Sequence, residues 1–294
     1  MRFDPHHLSA LSAVLRLGSF DRAAAALAVT PSAVSQRIKA LEDRVGTPLV
    51  NRASPCTGTE AGLRIAKHAE DVTLLERSLS RDLALERDAG PTRIRVAVNA
   101  DSLATWFIPA MVAADGVLFD LVIDDQDYST EWLRRGAVSA AVTAESRAVS
   151  GCDVHALGLL DYCATASPDF VARWFGAGLS PAAARRAPCM IFNAKDQLQQ
   201  RWLDTYVAPG IVPPAHALAS TQAFLDAAAA GLGWGLNPEP LARPYLAKGT
   251  LVELVPGSRL DTPLYWQVSR IMAPALREIT AAVRRAATAG LAAP

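Results

Sequence analysis

Two sets of side chains in this 294-residue sequence have the types and spacing to do chemistry. The first is acidic. Between Arg95 and Arg134 there is no Lys or Arg, against seven acids: Asp101, Asp115, Asp120, Asp124, Asp125, Asp127 and Glu131. A field of that sign favours a cationic ligand, and Asp124 and Asp125, at the end of an expected strand, are the carboxylates best placed for an ammonium or guanidinium. Asp101 reads either as a further member of this set or as a helix cap, and the remaining acids as surface charge. The second set is polar and basic: Pro31, Ser32, Ser35, Gln36, Arg37 and Lys39. Gln36 can pair bidentately with adenine, Ser32 and Ser35 can reach base edges or phosphates, and Arg37 and Lys39 can neutralise phosphate. The whole chain is neutral, with 29 Lys+Arg against 29 Asp+Glu, but residues 1–59 hold seven basic residues and four acids. That surplus fits a DNA partner.

Other chemistries lack their residues. There is no G-x-S-x-G, P-loop or H-E-x-x-H, and Cys56, Cys152, Cys163 and Cys189 form no C-x-x-C pair. No catalytic residue, metal site or cofactor is therefore expected, and the chain is read as a non-enzyme. Gly231-x-Gly233-x-Gly235 follows a helix rather than a strand, so it reads as a helix stop and not as a nucleotide loop. The apolar stretch Ala223 to Leu236 is interrupted by Asp226 and glycines and falls short of the ~20 residues a membrane span needs. With no apolar segment behind the N-terminal Arg2, the expected location is cytoplasmic.

The elements that must position these residues follow from periodicity. Helices are expected over 4–17, stopped by Gly18, over 20–28 behind the cap Ser19, and from the cap Thr30 with Pro31 in its first turn. Along the third, Val34, Ile38, Leu41 and Val45 make one apolar stripe, while Ser32, Ser35, Gln36 and Lys39 face outward. This is the layout of a helix-turn-helix. Residues 46–58 read as a β-wing that carries Arg52 toward a minor-groove backbone. A long helix from Thr59 to about Asp88 then places Ile65, Val72 and Leu79 at sevens, with Leu75 and Leu83 near the same side. We read that seam as a dimerising linker, with packing on its own chain as the alternative. Ala89-Gly90-Pro91 ends it. Beyond Thr92, strands ending at Asn99, Ile123 and Thr143 alternate with helices, and further units run through Cys163, Ile191, Trp234 and Val252. Such alternation predicts an open α/β sheet with its ligand beyond the carboxyl ends of the strands.

The string from Phe20-Asp21-Arg22-Ala23-Ala24 through Val29-Thr30-Pro31-Ser32-Ala33-Val34-Ser35-Gln36-Arg37-Ile38, with Gly46 and Leu49-Val50-x-Arg52, resembles the DNA-binding domain of LysR-type transcriptional regulators. Length, linker helix and the α/β remainder agree with that family along the whole chain. Asn99-Ala100-Asp101-Ser102-Leu103-Ala104-Thr105-Trp106, Leu133-Arg134-Arg135-Gly136, Gly231-Leu232-Gly233-Trp234-Gly235 and Pro263-Leu264-Tyr265-Trp266 are similar to its LysG/ArgP branch, which controls export of basic amino acids.

The resemblance implies a winged helix-turn-helix over 1–58, a linker helix over 59–90 and a two-lobed sensor over 91–294 of the type 2 periplasmic-binding-protein kind. Lobe I is then 92–163 with 269–294, lobe II is 164–268, and the crossings fall near 162–167 and 264–269. It implies L-lysine or L-arginine as effector, promoter DNA and RNA polymerase as partners, a homodimer or homotetramer, and control of an exporter gene. For such an effector, Asn99, Ser102, Thr143, Thr221 and Gln222 would supply donors at strand ends and helix starts, though each Ser or Thr is also an adequate cap. Trp106 would pack on the effector's alkyl stem or on the core. The family commonly has Asp where this chain has Ser139, a departure that the lysine/arginine branch shares. Two further readings compete: a solute-binding protein, which leaves the winged helix unexplained, and a DNA binder without an effector, which leaves the acidic run idle.

Overall fold

The computed structural model describes residues 2–83, 85, 91–124 and 129–293. The N-terminal domain forms where the caps predict it. Helix α1, Pro5–Leu17, starts at Asp4, whose side chain accepts from the His6 N–H, and stops at left-handed Gly18 (φ +65°). Helix α2, Phe20–Ala26, starts at Ser19, and α3, Pro31–Val45, at Thr30, each cap accepting a first-turn N–H. Leu11, Val14, Val34, Ile38, Leu41 and Leu49 close a fully buried core between them. Each such side chain contributes about 1.5–3 kcal/mol. The wing is β1, Val50–Asn51, paired antiparallel with β2, Thr57–Gly58. Glu42 of α3 pins it by accepting from the backbone N–H groups of Leu49 (2.8 Å) and Val50 (3.4 Å).

The linker helix α4, Glu60–Asp82, begins at the cap Thr59. Its residues split between two cores. Ile65 packs on the N-terminal domain, while Leu74 and Leu75 join the sensor core. Leu79 and Leu83 remain 58% and 57% exposed. The helix therefore lies on its own chain along much of its length and keeps a greasy end free; its expected continuation to Asp88 falls largely outside the described residues. Lys67, 6% exposed, donates to Asp71 on the same helix and to Ser139 Oγ of the sensor (2.8 Å). Ser139 Oγ in turn donates to Asp71 Oδ1 (3.1 Å).

The sensor opens with parallel β3, Thr92–Val98, β4, Val117–Ile123, and β5, Ala140–Thr143, in the order β5-β3-β4. Between the first two strands, α5, Ala100–Ser102, passes through a π-helical turn, Leu103–Phe107, into α6, Ile108–Val112. The π turn inserts an extra residue and rotates the face that meets the core. Trp106 and Phe107 are thereby buried and Ile108 is 52% exposed. Helix α7, Ser129–Arg134, precedes β5.

Strand β6, Cys152–Ala166, spans both lobes. In the second lobe follow α8, Pro168–Phe175, α9, Pro181–Ala184, β7, Cys189–Ile191, α10, Leu198–Tyr206, β8, Ala215–Ala217, α11, Thr221–Ala229, β9, Gly235–Pro238, α12, Glu239–Ala247, and β10, Val252–Glu253. Strand β11, Leu260–Ser269, returns antiparallel to β6, and α13, Arg277–Gly290, closes on the first lobe. Tyr265 to Val268 also pair with β5, while Leu260 to Leu264 pair with β6 alone. On β6, residues 162–166 pair with β9 and β10. Gly231 stops the α11 segment with φ +82°, and Gly233 and Gly235 leave room for Met190 and the Phe224 ring.

Candidate functional site

On α3, Pro31, Ser32, Gln36 and Lys39 are exposed and Ser35 and Arg37 half-buried. The buried stripe of Val34, Ile38 and Leu41 fixes that orientation, so one helix face presents two hydroxyls, an amide and a cation together. Arg52 stands beside this face with its guanidinium 5.3 Å from the Phe20 ring centroid and 3.9 Å from Glu42 Oε2. Its position on the wing is thus set by α2 and α3. The side chain is still 56% exposed.

The second candidate site is a narrow cavity between the lobes. Asn99, Ala100, Asp101 and Asp124 line it from the first lobe, and Phe192, Asp196, Leu198, Thr221, Phe224, Leu236, Asn237 and Pro238 from the second. Three carboxylates thus share one cavity. Asp101 is not a helix cap: the helix starts earlier, with Asn99 at the N-cap position, which places Asp101 in the first turn. Its carboxylate accepts from the Tyr162 hydroxyl on the crossing strand β6 and from the Thr221 hydroxyl at the start of α11, both at 2.8 Å. One side chain thereby bridges lobe, crossing strand and facing lobe. Burial pushes the Asp101 carboxyl above the usual carboxylate range, against the two hydroxyl donors, and the Asp196 charge adds to the rise.

Asp124, just past β4, accepts from the Trp132 indole N–H (2.9 Å) and from the Lys195 ammonium of the second lobe (3.3 Å). Asp196 is held differently. Its two oxygens accept from the backbone N–H groups of Phe192 and Leu198, both at 2.9 Å, so it clamps the loop after β7. Asn237 donates to Thr165 Oγ1 (2.9 Å), which ties the cavity floor to β6.

Of the residues expected at an effector site, the structure brings Asn99, Asp101, Asp124 and Thr221 together. Asp125 lies outside the described residues. The others do not line the cavity. Ser102 is fully buried and its Oγ has no hydrogen-bond partner among the described residues. Thr143 is buried against Gln267 and the Glu145 backbone. Gln222 turns outward to Asp226 and Tyr245. Trp106 packs into the first-lobe core beside Phe107, where α13 crosses so closely that a Cβ on Gly290 would meet the Trp106 Cβ at 2.6 Å.

The chain matches the LysR substrate binding domain over residues 88–288 and the bacterial regulatory helix-turn-helix protein, lysR family, over residues 5–63. It belongs to the LysR family of transcriptional regulators. The branch is also defined. The HTH-type transcriptional regulator LysG of Mycobacterium tuberculosis is 45% identical over 98% of this chain and 94% of its own length. The crystal structure of ArgP from Mycobacterium tuberculosis superposes with a TM-score of 0.80 at 43% identity, covering 100% of both chains. Full-length LysG from Corynebacterium glutamicum, solved with the effector Arg bound, gives a TM-score of 0.67 at 36% identity, over 98% of this chain and 99% of that one. This LysR-type regulator is therefore a member of the LysG/ArgP branch, a DNA-binding transcriptional regulator with a two-lobed sensor.

Sequence reasoning missed Tyr162, Lys195, Asp196 and Asn237. A usable signal existed for two of them, because Lys195-Asp196 follows a short apolar strand, the same strand-end rule that picked out Asp124. Tyr162 was assigned to the crossing without a role, and its hydroxyl gains one only from the approach of α5. For Trp106, Trp106→Phe in this LysR-type regulator is expected to cost about 1 kcal/mol of stability and to leave amino-acid affinity unchanged. The indole Nε1 has no partner among the described residues, so nothing polar is lost with it. Thermal melts and calorimetric titration of the variant check this; a loss of affinity at unchanged stability would return Trp106 to the site.

Proposed function

We propose that this regulator senses a basic amino acid, L-lysine or L-arginine, and that the sensing controls transcription of an amino-acid exporter gene. One observation carries the reading. Of the carboxylates Asp101, Asp124 and Asp196 that line the cavity, Asp124 already holds the ammonium of a lysine side chain, Lys195. A carboxylate so placed suits a free cationic amino acid as well. The arginine bound to the LysG of Corynebacterium glutamicum supports the same class of ligand. Binding between the lobes biases the angle between them, and with it the linker helix and the α3 face.

In this reading Pro31, Ser32, Ser35, Gln36, Arg37, Lys39 and Arg52 meet promoter DNA. Copies of the chain pair through the exposed end of α4 and assemble as homodimers or homotetramers. RNA polymerase is the further partner at the promoter. The regulator acts in the cytoplasm and performs no catalysis. No described helix is long and apolar enough to cross a membrane, and the described residues hold no His/Cys/Asp/Glu group suited to a metal ion.

The test is calorimetric titration at fixed salt with L-lysine, L-arginine, L-histidine and L-leucine. Saturable binding of cationic amino acids with none of leucine is the expected result. Binding of none of them, or of all alike, overturns the basic-amino-acid reading and leaves the DNA-binding assignment standing.

A further inference from the structure

The Lys195–Asp124 contact joins the two lobes at the cavity, and its two halves are held by different means. Asp124 follows β4 directly, with its N–H directed to Val98 O (3.4 Å), and its carboxylate is aimed by the Trp132 indole. Lys195 sits in a clamped loop: its own N–H donates to Asn193 Oδ1 (2.7 Å), while Asp196 fastens the loop at both ends through Phe192 and Leu198. The backbone of Lys195 is thus rigidly presented, and the long flexible side chain spans the gap. The pair lies at the mouth of the cavity, with side-chain exposures of 47% for Lys195 and 20% for Asp124.

We infer that Lys195 is a built-in competitor of the effector: its tethered ammonium occupies Asp124 until a free cationic amino acid displaces it, and this competition sets the concentration at which the regulator responds. The inference rests on the reading of Asp124 as an effector carboxylate. Three physical points carry it. A tethered cation acts at high effective concentration without adding a contact of its own to the ligand. An ion pair this open to water is weak, so a ligand can break it. The Lys195 side chain is already 47% exposed, so displacing its ammonium from Asp124 does not require burying it elsewhere.

The test is a double-mutant cycle on amino-acid affinity, using Lys195→Met, which keeps most of the side-chain volume and removes the charge, and Asp124→Asn. Lys195→Met is expected to tighten L-arginine and L-lysine binding by up to about fivefold, the range for releasing a partly exposed ion pair. In the Asp124→Asn background the same substitution is expected to change affinity by less than about twofold, because the contested carboxylate is gone. Unchanged affinity in Lys195→Met, with Asp124→Asn still weakened, overturns the competitor and keeps Asp124 in the site. Weaker binding in Lys195→Met also overturns it, and makes Lys195 a donor to the ligand carboxylate. Wild-type affinity in Asp124→Asn itself removes Asp124 from the site and fails the underlying reading. Thermal melts of all four proteins identify any variant whose affinity changes through misfolding.

Discussion

Asp101→Asn is expected to weaken L-arginine binding by at least about tenfold and, at neutral pH, to raise the melting temperature of the unliganded protein. The opposite signs have one cause. Asp101 bridges Tyr162 and Thr221 in a buried setting that pushes its carboxyl above the usual range. In the unfolded chain this group titrates near ~3.9. A folded value above that means the folded state holds its proton longer as pH rises. The contribution of Asp101 to stability is therefore complete below the unfolded value and is lost as pH climbs through the folded one. The burial that disfavours the charged form thus costs stability as pH climbs above the unfolded value, and Asn, which keeps the shape and accepts from one of the two hydroxyls, carries no such cost. A ligand cation relieves the same charge in the wild type. Saturating arginine should then raise the wild-type melting temperature more than that of the variant, and the stability gap between the unliganded proteins should shrink on going from pH 8 to pH 5. Melts at both pH values, with and without arginine, check all three statements. A variant that melts lower than wild type and binds arginine normally would make Asp101 a structural latch alone.

On the DNA side, Ser32→Ala and Gln36→Ala are each expected to reduce operator binding by roughly tenfold to a hundredfold while leaving binding to random DNA nearly intact. Both side chains are exposed on α3 and neither supports the domain core, so folding should be unaffected. Lys39→Ala is the contrast: it should weaken binding to every sequence alike and reduce the salt slope by about one. Competition binding between operator and random duplexes at two salt concentrations separates these outcomes. Equal losses on both DNAs for Gln36→Ala would restrict that residue to phosphate contact.

The N-terminal domain was legible in the sequence because each local signal there acts over a few residues. Asp4, Ser19 and Thr30 cap the helices they precede, Gly18 and Gly46 end α1 and α3 in left-handed conformation, and the i, i+4, i+7 stripe of α3 fixes its outer face. The cavity was only half legible. Asn99, Asp124 and Thr221 follow from strand-end and helix-start rules, but Asp101 was set between cap and ligand when its partners are Tyr162, 61 residues away, and Thr221, 120 residues away. Local pattern cannot give such pairings. Trp106 illustrates the other limit, because the π turn rotates the face that a regular helix would present and directs the indole to the core.

The junction of Lys67, Asp71 and Ser139 bears on how a signal leaves the sensor. An Asp at position 139 would make the helix and the lobe hold opposite halves of one buried ion pair, and separating them would strand two charges, at about 3–5 kcal/mol for a broken buried pair. Here the cation and its carboxylate, Lys67 and Asp71, ride on the same helix, and the lobe contributes only a hydroxyl. Were arm and lobe to part, the helix would take its own counter-ion along and water would replace a single hydroxyl. Parting at this junction alone would strand no charge; the arm is held instead by contacts such as those of Leu74 and Leu75, which pack into the sensor core.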